Sequence, residues 1–162
     1  MLLSRAFVIA GLCLLAACAD MRVQTASEVL RQQDIGINIL QSSGRSGQLY
    51  SRQLREQLGS DGPTTHDLLS SLSQSSSSVV AVRGTGSQLK KMTITANITL
   101  VDSRSGEIVL TDSISSTATL GAVSSYFAQT RSDRHGSERL AMLLADRVAA
   151  RVQLFFLNNS GS

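Results

Sequence analysis

The stretch KMTITANITLV, residues 91–101, decides the fold. Met92, Ile94, Ala96, Ile98 and Leu100 fall on one side of an extended chain, and Thr93, Thr95, Asn97 and Thr99 fall on the other. Successive side chains of a strand point to opposite faces. Unbroken alternation of this kind specifies a half-buried antiparallel strand, packed on one face and wet on the other.

The sequence on either side extends this strand into a meander. DSRSG, 102–106, has the composition of a tight turn. EIVLTDSISSTATLG, 107–121, then puts Ile108, Leu110, Ile114, Ala118 and Leu120 on one face and Thr111, Ser113, Ser115, Thr117 and Thr119 on the other. Upstream, RGTGSQ, 83–88, reads as a glycine-bearing hairpin loop. Before it, in HDLLSSLSQSSSSVVAV, 66–82, Leu68 and Leu72 share one alternation with Val80 and Val82. This predicts one long, sparsely packed strand. Its serine run, 73–78, has a composition that suits strand or linker.

Two helices and one further strand complete the pattern. DIGINIL, 34–40, alternates through Ile35, Ile37 and Ile39 as a half-buried strand does. QSSGRSG, 41–47, is loop-like. The next segment carries Tyr50, Leu54 and Leu58 on one helical face, with Gly59 placed to end the helix. SDGPTT, 60–65, is a turn-rich break. At the C-terminal end, in 137–156, Leu140, Leu144, Val148 and Val152 recur every fourth residue, with Phe155 continuing the stripe and Arg139, Asp146 and Gln153 opposite. That is an amphipathic helix of about five turns. RSDRHGSE before it reads as a loop, and His135 as a polar loop residue.

The order is strand, helix, strand, strand, strand, helix. It predicts an α+β fold: a two-layer sandwich of a mostly antiparallel four-stranded sheet with two helices packed on one face. The other sheet face is left bare and coated in Thr, Ser and Asn.

The first residues stand apart from this domain. MLLSRAFVIAGLCLLAAC has one basic residue, Arg5, then an apolar run too short for a permanent span of roughly 20 residues. The run ends in Leu15-Ala16-Ala17-Cys18, which has the form of a bacterial lipoprotein box. Small residues fit a narrow peptidase site, and Cys18 offers a sulfur for lipid attachment. The expected division is a leader over 1–17, a lipidated tether over 18–33, a domain over 34–157 and a tail over 158–162. Removing the first 17 of 162 residues leaves 145, enough for one core. The formal charge falls from +3 to +2 with loss of Arg5, far too little for nucleic-acid binding. The only cysteines are Cys13 and Cys18, so no disulfide is expected in the domain.

Chemistry-bearing motifs are sparse. His66 and His135 are the only histidines and have no metal-ligand spacing. No nucleophile elbow and no phosphate-binding loop occurs. The expectation is a chain that is not an enzyme and takes no cofactor and no metal.

Two stretches carry a resemblance. VRGTGSQLKKMTITANITLVD is similar to a family hairpin with a basic residue at the turn and a Thr/Asn-dotted strand. SSYFAQTRSDRHGSERLAMLLADRVAARV is similar to that family's closing loop, with Tyr126 and Phe127, and its terminal helix. Together with the lipoprotein box, the chain resembles the LptE family of lipopolysaccharide-assembly lipoproteins over most of 34–157. It departs at Cys18-Ala19-Asp20, where many members have Cys-Gly-aromatic, and in its serine run.

The resemblance implies an outer-membrane lipoprotein on the periplasmic face, anchored through Cys18. Its partners would be lipopolysaccharide and an LptD-like β-barrel whose lumen it plugs. Ala19 after Cys18, where Asp would favour inner-membrane retention, points the same way by resemblance to sorting in enteric bacteria. Arg83 matches the family's basic position for lipopolysaccharide contact. Lys90 and Lys91 join it by proximity, because cationic side chains pair with phosphate; an edge-guarding hairpin charge is the competing reading of both lysines. Thr93, Thr95, Asn97 and Thr99 would face the barrel wall, while strand propensity explains the threonines equally well. An accessory lipoprotein of another envelope transport or peptidoglycan-synthesis complex is the alternative.

Overall fold

The computed structural model describes residues 35–59, 62–80, 88–121 and 125–159. The leader, the tether, Cys18 and Arg83 lie outside the described residues. The elements are β1 (Gly36–Ile39), α1 (Gly44–Leu58), β2 (Thr64–Val80), β3 (Gln88–Asp102), β4 (Ile108–Gly121) and α2 (Tyr126–Asn159). The sheet order is β1-β2-β3-β4. β1 and β2 run parallel, and the other pairs are antiparallel. This is the expected α+β sandwich, with both helices on one face.

β3 is central, and its alternation is the hinge of the architecture. Met92, Ile94, Ala96, Ile98 and Leu100 are each no more than 1% exposed. Full burial of such side chains is worth about 1.5–3 kcal/mol each, alanine less. The register carries the pattern sideways: Leu100 lies between Leu68 and Leu110, and Ala96 between Leu72 and Ile114. The serine run is strand, because Ser73 through Ser78 pair in register with Thr95 through Lys90. Backbone pairing with β3, and not side-chain burial, holds it extended, since residues 73–79 are exposed.

β4 departs from its expected face at one end. Leu100 pairs with Leu110 but Val101 pairs with Ile108, so Val109 is an extra residue in β4. A bulge reverses the facing of what lies beyond it. Ile108, expected in the core, is 60% exposed, and Val109 packs on the core instead. The turn before it follows from Asp102, whose Oδ1 accepts from the backbone N–H groups of Arg104 and Ser105 at 2.8 Å each. Gly106 closes that turn at φ +73°, a backbone region that disfavours other residues.

α2 is 34 residues long, far more than the expected 137–156. The RSDRHGSE segment is helix, not loop. Its Gly136 is buried where α2 crosses β4, and a Cβ there would stand 2.6 Å from Leu120 Cδ1. Close packing of helix on strand outweighs the helix-propensity cost of about 1 kcal/mol. Leu140, Leu144, Val148 and Val152 are buried as expected, but Phe156 continues the stripe. Phe155 is half-buried and stacks edge-on against it at 5.3 Å. Ala141, Ala145 and Ala149, also buried, lie on the flank that meets α1. Asp146 is not on the solvent side: it accepts from Gln53 at 3.1 Å and Gln57 at 2.7 Å across the helix seam.

α1 begins at Gly44, inside the expected loop 41–47. Tyr50, Leu54 and Leu58 are buried as its spacing requires. Gly59 ends it with extended backbone, its N–H bonded to Arg55 O, and not in the left-handed form. The phenol of Tyr50 donates to Ser70 Oγ at 3.1 Å, and burial pushes its pKa up to about 12.

Ile98→Ala should cost about 2–4 kcal/mol in urea unfolding, as a cavity forms under α2, while Ser75→Ala on the bare face should stay within about 0.5 kcal/mol. A second test uses His66, whose ring meets Phe156 edge-on at 5.0 Å. Burial pulls its pKa down, against the opposing pull of Asp102 and Asp67. The unfolded chain therefore binds the proton more readily, and stability falls as pH drops below the ordinary histidine value of about 6.5. Thermal melts from pH 7.5 to 5 should show this decline in the native protein and lose it in His66→Gln.

Candidate functional site

The strand pattern fixes what each sheet face offers. In the rows across β2, β3 and β4, Ser75-Thr93-Thr117, Ser73-Thr95-Ser115 and Ser71-Asn97-Ser113 lie side by side. Leu69-Thr99-Thr111 and Ser77-Lys91-Thr119 flank them. Thr93, Thr95, Asn97 and Thr99 thus share one hydroxyl-coated face three strands wide. Some hydroxyls satisfy each other: Thr93 Oγ1 lies 3.0 Å from Thr117 Oγ1, and Ser113 Oγ donates to Asn97 Oδ1 at 2.8 Å. Most still have donors and acceptors for an external surface, and the rows from Leu69 to Ser75 carry no charge.

The structure does not gather Lys90 and Lys91. Adjacent strand residues point to opposite faces, so Lys91 stands on the hydroxyl face and Lys90 on the helix side. Lys90 Nζ meets Asp133 Oδ2 of α2 at 2.6 Å. That hydrogen bond holds the Asp133 carboxyl below the usual carboxylate range, with Gln129 helping. Lys90 is therefore engaged internally.

A cationic cluster that sequence reasoning missed lies on α2 and the start of α1. Arg45, Arg131, Arg134, His135 and Glu138 line a cavity of about 460 Å³. Arg45 Nε donates to Glu138 Oε1 at 2.6 Å, and Arg134 Nε lies 3.6 Å from the same oxygen. The Arg45 hydrogen bond is the main cause of the lowered Glu138 pKa. Arg131 and Arg139 have no carboxylate partner among the described residues. Three guanidiniums, of Arg45, Arg131 and Arg134, thus share this cavity with one carboxylate. His135 also lines an adjoining groove of about 360 Å³, with Ala118, Leu120, Leu140 and Leu143 below it and Arg139 at its side. Leu143 is 53% exposed. Tyr126 and Phe127, implied to lie in a loop, open α2 at 80% and 84% exposure. The signal was present in RSDRHGSER: read as a helix, Arg131, Arg134 and Glu138 share one face.

This arrangement can bind a ligand with anionic and apolar parts, since guanidiniums pair with phosphate in bidentate fashion and the groove accepts a chain. Among the described residues no cluster of His, Asp and Glu is disposed to hold a metal, and no helix is long and apolar enough to cross a membrane.

Lys90→Glu should place two carboxylates together and lower the urea midpoint, whereas Lys91→Glu should leave it within error. Equal effects would contradict the opposite placement of the two lysines.

No family model matches the sequence, and no curated protein matches it. Solved structures do match the fold. A candidate lipoprotein from Caulobacter crescentus superposes with a TM-score of 0.58 at 19% identity, covering 82% of this chain and 98% of that one. Rare lipoprotein B from Shewanella oneidensis superposes at 0.56 with 10% identity, covering 78% of this chain and 98% of that one. The chain shares the fold of bacterial lipoproteins.

Proposed function

We propose that this chain is a lipid-anchored outer-membrane protein that binds lipopolysaccharide and plugs an LptD-like β-barrel. The observation that carries the reading is the cluster of Arg45, Arg131, Arg134 and Arg139 beside an apolar groove. Lipopolysaccharide presents phosphates next to acyl chains, and this surface offers the complementary pair of chemistries. Two further features support it. The hydroxyl face suits a polar barrel lumen, because it carries little charge to desolvate. The fold is shared with rare lipoprotein B from Shewanella oneidensis, in keeping with an envelope lipoprotein.

In this reading Cys18 holds the acyl anchor and the domain performs no covalent chemistry. The ligand site moves from the Arg83-Lys90-Lys91 group toward α2, because Lys90 is spent on Asp133. Arg83 keeps its family-derived role, and Lys91 belongs with the docking face.

Binding of purified full-length protein to lipopolysaccharide tests the site. Arg131→Glu with Arg134→Glu should weaken binding at least tenfold, since a hydrogen bond to a charged group is worth about 1.5–3 kcal/mol. Unchanged affinity would remove the cluster from the site. The docking face is tested separately: Thr95→Glu should reduce co-purification with the barrel and leave lipopolysaccharide affinity unaltered.

A further inference from the structure

The outer edge of β2 has no neighbouring strand beyond Leu68 among the described residues. β1 pairs with β2 only from Thr64 to Leu68, while β3 holds the opposite side from His66 to Val80. Hydrogen bonds settle which backbone groups face outward. Leu68 O accepts from Leu40 N on the β1 side at 3.1 Å, and Thr65 O accepts from Ser103 N on the β3 side at 3.0 Å. Even-numbered residues of β2 therefore aim N–H and C=O at the edge. Ser42 Oγ donates to Ser70 O at 3.0 Å. From Leu72 to Ser78 the outward groups have no hydrogen-bond partner among the described residues.

This edge also lacks guards. Leu69 through Val80 contain no Asp, Glu, Lys, Arg or Pro, the residues that normally keep an edge from pairing. The other two edges meet arginine: Arg55 donates to Ile39 O of β1 at 3.2 Å, and Arg147 to Ser115 O of β4 at 2.8 Å. Space is available as well. Gln74, Ser76 and Ser78 face the helix side yet are exposed, so neither helix blocks an added strand.

We infer that Leu72–Ser78 is a strand-addition surface occupied by a second copy of this chain, antiparallel, joining two sheets into one of eight strands. The segment is its own complement. Paired about Ser75, it sets Gln74 opposite Ser76 of the second copy and Leu72 opposite Ser78, with no charges opposed. An uncharged, serine-coated edge carries no side-chain code for a foreign strand, whereas its own copy matches it in length, pleat and neutrality. Seven residues bury less than the roughly 1,000 Å² of a stable interface, so the dimer is weak and concentration-dependent. This inference stands whether or not the barrel reading holds.

The test is sedimentation of the full-length protein in detergent, paired with residue-resolved hydrogen exchange across protein concentrations. The dimer fraction should rise with concentration. Amides of Leu72, Gln74, Ser76 and Ser78 should gain protection in step with it, while Ser71, Ser73 and Ser75 stay protected throughout. Ser76→Pro removes only an outward N–H, which an edge strand tolerates; it should keep the native melt and weaken dimerisation at least tenfold. Ser76→Lys should do the same by charge. A monomer at every concentration overturns the inference. So does a dimer whose even-numbered amides exchange freely, a dimer indifferent to Ser76→Pro, or edge protection without a dimer, which would mean that the chain's own segment or another strand fills the edge.

Discussion

The burial of one face of β3 is the constraint on which the structure depends. Its five inward side chains cannot stay in water, and no other strand buries as many among the described residues. The helices lie where they do because β3 needs a cover. α1 supplies Tyr50, Leu54 and Leu58, and α2 supplies Leu140, Leu144, Val148 and Val152. β2 and β4 are aligned to β3 by register, so their own facing is inherited from it. This is why a sparse strand such as β2, serine for much of its length, can be extended and ordered without a core of its own.

Polar groups inside this cover are placed with equal economy. Ser42, Ser51, Tyr50 and Ser70 form a small network that locks the β1–α1 connection onto β2. Asp112 points to the helix side of β4 and meets Arg151 of α2 at 2.6 Å, which pulls its carboxyl below the ordinary range. Ser116 is the exception: its hydroxyl is buried without a hydrogen-bond partner among the described residues. An unpaired buried hydroxyl costs about 1–3 kcal/mol.

The two faces of the molecule have separate chemistries as a result. Fixed charge gathers on the helix layer, where Arg45, Arg131 and Arg134 share a cavity with Glu138 and Arg139 lines the adjoining groove. The open sheet face holds mostly hydroxyls with one amide and the exposed Leu69 and Val79, and has Lys91 toward one end and Asp67 toward the other. Asp67 is itself bonded to Asn38 and Ser103. In the proposed function, the first surface meets an anionic amphiphile and the second a polar wall.

Local periodicity by itself determined the strand meander, the amphipathic stripes, the two-layer α+β class and the existence of a bare Thr/Ser face, because burial of one face writes itself into every second or fourth residue. It also determined that Lys90 and Lys91 are adjacent in the chain, but proximity in sequence means opposition across a strand. Tertiary structure alone decided the rest. The bulge at Val109 turned Ile108 outward, since register belongs to a pair of strands and not to one. Gly136 continued a helix that composition had ended, because its missing side chain admits Leu120. The cationic cluster joins Arg45 to residues of α2 more than eighty positions away, and only the packing of α1 on α2 brings them together.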